Sequence, residues 1–213
     1  MEIINKKTQE TLNQIQEYVI ESGKEINEKY EQFTSIVPCK IIINNVLRTY
    51  FELECDFESE DEKNSYEKWL TSILKYIWEK HDQLIVYIYT KVETFIATSI
   101  QDKARFRKYC KRNNGLSTIS NMINYLCDEK GINLDEIYKK AVKLWDEIIR
   151  PMRNIIIHNG IDREQLICDT VSKLLKEPNI SSNLLEIFCV CIEEINISLS
   201  AMRCLLISIN DIV

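Results

Sequence analysis

Turn-forming residues are scarce in this chain: its 213 residues include only four glycines, at 23, 115, 131 and 160, and three prolines, at 38, 151 and 178. Folds made of many short strands and tight turns need more of both, so long helices are the expected element. Histidine is scarcer, with His81 and His158 alone, which excludes a site built from a cluster of imidazoles. The eight cysteines (Cys39, Cys55, Cys110, Cys127, Cys168, Cys189, Cys191 and Cys204) form no CxxC pair and have no histidine at ligand spacing. Neither a zinc site nor a thioredoxin-like motif is encoded; no metal and no cofactor are expected, and the cysteines read as reduced, mostly buried, small apolar side chains. Apolar runs of membrane-spanning length are missing, and "MEIINKKTQETLNQ" lacks the apolar core of a signal peptide. A soluble cytoplasmic protein with no membrane partner is expected.

What is present suffices for a core. With 45% hydrophobic and 28% charged residues, the chain can bury one sizeable domain with an appendage. Residues 12, 15, 19, 26, 30 and 33 recur at helical spacings and predict a long N-terminal helix with a narrow apolar stripe, ended by Val37-Pro38. The segment "KIIINNVLRTYFELECD" carries both strand-like and helix-like signals, and helix is the preferred reading. After the acidic "DFESEDE", a helical period runs from Tyr66 to Ser99, with a break near His81-Asp82. Further helical blocks are expected at about 117–129, 134–158, 163–176 and 182–211. The fold class is therefore all-α: a helical bundle over residues 59–213 with an N-terminal helical extension over residues 1–58.

The stretch "RNIIIHNG", Arg153 to Gly160, holds one of the two histidines. Upstream, Ile137, Ala141, Leu144, Ile148, Met152 and Ile155 fall on one face of a helix, which is expected to be core-facing. Pro151 should kink that helix just before Arg153, and Asn159-Gly160 should stop it, leaving His158 on the last turn. Asn154 and His158 share a face. Arg153 is five residues before His158, about 140° away round a straight helix. The two converge only through the long arginine side chain, a local distortion or a second copy of the helix. Spacing alone also fits a surface cation, a local hydrogen-bonder and a C-terminal cap.

"RNIIIHNG" resembles the R-N-x-x-x-H signature of the HEPN superfamily, all-α domains found in bacterial toxins, phage-defence proteins and RNA-cleaving effectors. The order of helices over about residues 80–213 is similar to the HEPN bundle; residues 1–58 match nothing in that pattern. The resemblance implies metal-independent RNA cleavage with the ribose 2′-OH as nucleophile, carried out by a homodimer. It casts His158 as acid/base, Arg153 as phosphate stabiliser and Asn154 as the group that orients His158 or the phosphate. These residue types suit the chemistry: an unperturbed imidazole exchanges protons near neutral pH, and a guanidinium fork matches phosphate oxygens. One histidine cannot be acid and base at once, and His81, in the charged "WEKHDQL", reads as exposed. Glu93 reads either as a polar group directed at Arg153 or, more simply, as a solvent-facing glutamate.

A second feature is "KARFRKYCKR", with six cations in ten positions of a chain of net charge −6. Lys103, Arg105, Arg107, Lys108, Lys111 and Arg112 cover about half a helical wheel and Phe106, Tyr109 and Cys110 the remainder. The run reads as a solvated face or as an RNA-backbone surface. Three function classes follow: a HEPN-type ribonuclease acting as toxin or defence effector, with RNA as substrate and an antitoxin or regulatory protein as a further partner; a non-catalytic HEPN-like module that binds nucleotide, RNA or a partner protein; and a helical protein-interaction module working through the stripe from Leu12 to Phe33.

Overall fold

A computed structural model describes residues 4–34, 40–43, 49–52, 59–113, 118–133, 136–158, 163–174 and 180–213. Among the described residues the architecture is all-α apart from one short strand pair. Its elements are α1 (Lys6–Thr34), β1 (Lys40–Ile43), β2 (Thr49–Glu52), α2 (Glu60–Ser99), α3 (Lys103–Arg112), α4 (Ile119–Lys130), α5 (Glu136–Leu144), a π-helical turn (Trp145–Ile149), α6 (Arg150–His158), α7 (Arg163–Leu174) and α8 (Ile180–Ser208). No helix among the described residues is long and apolar enough to cross a membrane.

Two expectations are corrected. Part of "KIIINNVLRTYFELECD" is an antiparallel strand pair, with Lys40 opposite Glu52 and Ile43 opposite Thr49. The β-branched and aromatic residues of both strands favour pleated backbone, and this outweighs the helical spacing. The helix that follows is unbroken at His81-Asp82, since α2 runs through both. Val37, Pro38, Asn159, Gly160 and the proposed boundary at residue 58 lie outside the described residues.

By contacts the chain divides into two compact units: Met1–Gln16, Ile85–Ile157 and Asn196–Val213 form one, and Glu17–Leu84 with His158–Ile195 the other. In the first unit α1 begins on an Asn5 cap, whose Oδ1 accepts from the Thr8 backbone N–H at 2.8 Å. Asn5 also exchanges two hydrogen bonds with Asn210, at 2.8 and 2.7 Å. The core of this unit is built from Leu12 and Ile15 of α1, Ile85, Ile88, Val92 and Ile96 of α2, Ile119 and Ile123 of α4, Trp145 and Ile149 of the π turn, and Leu205 and Leu206 of α8. Asp102 and Thr118 cap α3 and α4 through their side chains, as short polar residues at that position do. Gly131 ends α4 at φ 66°, the left-handed conformation that a glycine adopts without a Cβ clash.

In the second unit Tyr66, Trp69, Leu70, Ile73, Leu74 and Ile77 of α2 are buried together with Ile167 and Val171 of α7 and Cys191 and Ile195 of α8. His81 is buried here as well, at 6% exposure, which corrects its reading as an exposed residue. Its Nδ1 lies 3.0 Å from Asp82 and its Nε2 2.8 Å from Glu194. Burial disfavours the imidazolium, but the two carboxylates outweigh it and raise the His81 pKa above its ordinary value. Lys80, next in sequence, pairs with Glu25 of α1.

Candidate active site on the motif helix

The helix that carries "RNIIIHNG" is not a plain α-helix. Between α5 and α6 the Arg150 backbone N–H bonds back to the Trp145 carbonyl, five residues earlier, so one turn is π-helical. Pro151 supplies a cause: it has no N–H to give the Glu147 carbonyl, and its ring crowds that group. The expected irregularity is therefore a widened turn preceding Pro151. A π turn takes one more residue to close, which sets everything after it back by about 100° round the axis.

That shift changes which face is inside. Ala141, Val142, Trp145 and Ile149 are buried, whereas Ile148 and Ile155 are exposed at 41% and 42%; the expected core face through Ile148, Met152 and Ile155 is corrected by about one residue. The π turn aligns Trp145, Ile149 and Arg153 instead. No side chain of α6 is fully buried.

Arg153 is half-buried, and its guanidinium carbon lies 5.3 Å from the centroid of the Tyr89 ring. Such a contact, partly screened from water, contributes about 1 to 2 kcal/mol. Tyr89 is itself buried and stacks on Trp145 with centroids 5.8 Å apart and planes 22° apart. Arg153 Nη1 donates to the Asn154 Oδ1 at 3.0 Å, which leaves the Asn154 Nδ2 hydrogens as the donors it can offer a ligand. His158 is exposed at the end of α6. Arg153 and His158 lie on the same α-helical stretch, still about 140° apart round it, because the distortion precedes both.

Further groups gather round Tyr89. Burial pushes its phenol above the usual range; Glu93 pushes the same way, Arg150 and Arg153 oppose, and Asp146 adds to the rise. The phenol is therefore protonated at neutral pH. Glu93 is half-buried, and its charge adds to the rise of the Tyr89 phenol. Asp146, in the π turn, accepts a hydrogen bond from Ser120 Oγ. The sequence does not single out Tyr89, Asp146 or Arg150: Tyr89 looks like core at helical spacing, and the other two look like surface charges.

On α3 the basic face is outward. Lys103, Arg105, Arg107, Lys108, Lys111 and Arg112 are exposed, while Phe106 and Cys110 are buried. Phe106 and Tyr109 pack edge-on against Tyr125 of α4, with centroids 5.3 and 5.4 Å apart. Arg105 lies 3.7 Å from Glu129, so part of its charge is answered within the unit. Cys110, Cys127 and Cys191 are buried thiols outside any disulfide, and Cys168 and Cys204 are exposed ones. Among the described residues no group of three His, Cys, Asp or Glu side chains is placed to hold a metal ion.

No protein-family model matches the chain, and no curated protein or solved structure does either.

Proposed function

We propose that this chain is a HEPN-type endoribonuclease, a toxin or defence effector that cleaves RNA without a metal. One observation carries the reading: Arg153, Asn154 and His158 share one uninterrupted α-helical stretch, with the guanidinium fixed against Tyr89 and Asn154 and the imidazole exposed at the helix end. In the reaction, the ribose 2′-OH attacks the adjacent phosphorus and the bond from phosphorus to the 5′ oxygen breaks. One imidazole takes the 2′-OH proton and another gives a proton to the leaving oxygen. Arg153 stabilises the charge that builds on the phosphate oxygens. The products are a 2′,3′-cyclic phosphate and a 5′-hydroxyl end.

Two imidazoles are needed, and a two-fold dimer supplies them as two copies of His158. The exposed Ile148 and Ile155 beside the motif, 41% and 42% accessible, favour such self-complementary contact. The exposed cations of α3 suit the RNA backbone. The test is cleavage of end-labelled RNA by purified protein in excess EDTA, with the ends identified chemically. The reading expects 2′,3′-cyclic phosphate ends; cleavage that stops on chelation and returns with Mg²⁺ overturns it. A protein that binds RNA through residues 103–112 without cleaving it would instead fit the HEPN-like binding module.

A further inference from the structure

The motif arginine does not stand alone in its unit. Its guanidinium lies against the face of Tyr89, Tyr89 stacks on the fully buried Trp145, and Trp145 opens the π turn that rotates Arg153 into place. Three observations thus converge on one ring. An arginine side chain has several rotatable bonds and, on a half-exposed helix, would sample many directions. The Asn154 hydrogen bond restrains it at one nitrogen. A flat aromatic face restrains the whole guanidinium plane, because cation–π attraction holds only while the cation stays over the ring.

We infer that Tyr89 is a positioning residue: its ring, backed by Trp145, fixes the direction in which Arg153 presents its guanidinium to a phosphate. The inference rests on the ribonuclease reading, and it assigns the work to the ring rather than to the hydroxyl. Tyr89 acts through Arg153 and need not touch substrate. The π turn then has a purpose in the site: without its extra residue, Met152 rather than Arg153 would take the angular position beside the ring.

The test compares Tyr89→Phe with Tyr89→Leu in the full chain, using two readouts. The first is the Arg153 Nε–Hε resonance, assigned by its disappearance in Arg153→Lys, which a ring facing the guanidinium shifts upfield. It should lose that shift in Tyr89→Leu and keep it in Tyr89→Phe. The second is RNA cleavage. Tyr89→Leu should lower kcat by roughly ten- to a hundredfold with little change in KM, as expected for a group displaced by a fraction of its reach. Tyr89→Phe should recover most of that loss, and adding Tyr89→Leu to Arg153→Ala should cost nothing more. If Tyr89→Leu does not fold, Tyr89→Met fills similar space without a ring and carries the same comparison. A resonance that keeps its upfield shift in the ring-less variant, losses that multiply in the double variant, or a Phe variant as weak as Leu would each overturn the inference. If the wild type cleaves no RNA, the ribonuclease reading fails, and the resonance decides the clamp by itself.

Discussion

The chain's two histidines occupy opposite kinds of place. His158 ends α6 with its ring exposed, while His81 sits in the middle of the 40-residue α2, buried between the carboxylates of Asp82 and Glu194. A reacting imidazole must be accessible to substrate. A clamped and buried one is committed to the fold, since its charge is balanced where it lies. The more charged sequence context, "WEKHDQL", surrounds the histidine that is inside, and the apolar one, "RNIIIHNG", the histidine that is outside. Accessibility, not local polarity, therefore separates the candidate catalyst from the structural residue.

The largest expected effect would break this comparison most directly. His158→Ala should lower RNA cleavage by roughly a hundred- to ten-thousandfold and change stability by no more than about 0.5 kcal/mol, because an exposed helix-end side chain leaves no cavity. Activity and urea unfolding on the same preparation check both halves; wild-type cleavage by this variant would return His158 to the role of a helix cap.

His81→Gln should do the reverse. It should cost about 1 to 2 kcal/mol of stability, moderated because Glu194 is partly exposed, with cleavage per folded molecule unaltered. The loss should also depend on pH. The folded pKa of His81 is raised, so its stabilisation is complete below the unfolded imidazole value of about 6.5 and disappears as pH climbs through the higher folded value. The difference between the wild-type and His81→Gln urea midpoints should accordingly be wider at about pH 5.5 than at about pH 9. A gap that does not narrow would mean that the Asp82 and Glu194 contacts do not depend on imidazolium charge.

A smaller effect asks whether the exposed, working side of the molecule includes α3. Replacing Lys103, Arg107 and Lys111 by Gln should weaken single-stranded RNA binding and flatten its salt dependence by about 0.7 in logarithmic slope for each phosphate no longer neutralised. Titrations at several salt concentrations decide it, and an unchanged slope would leave those charges as a solvated face.

Much of this arrangement was legible in the chain itself. With few glycines and prolines to interrupt them, the periodic apolar residues of α2, α4 and α8 announce helices directly, and the six cations of α3 fall outward because Phe106 and Cys110 fall inward. The strand pair was ambiguous because Ile41, Ile42 and Ile43 fit both a pleat and a helix face. The π turn was only half legible: Pro151 advertises a disturbance, but not that the extra residue falls between Trp145 and Ile149, nor that it turns Arg153 towards Tyr89. The burial of His81 depends on Glu194, on a helix far along the chain, and no local pattern could carry it. Arg153, Asn154 and His158 stand out because they cluster in sequence; Tyr89 does not, because it reaches Arg153 from another helix.

The central claim is that Arg153 and His158, set about 140° apart round one helix, serve a single reaction only when two copies of α6 meet. Subunit poisoning tests it most directly. Wild-type protein is mixed with excess His158→Ala protein under conditions that allow exchange, and RNA cleavage is followed over time. The account predicts that activity falls as mixed dimers form, because a mixed dimer holds one His158 imidazole where the reaction uses two. Activity that persists although exchange is demonstrated, or a wild type that is monomeric and fully active, would contradict it.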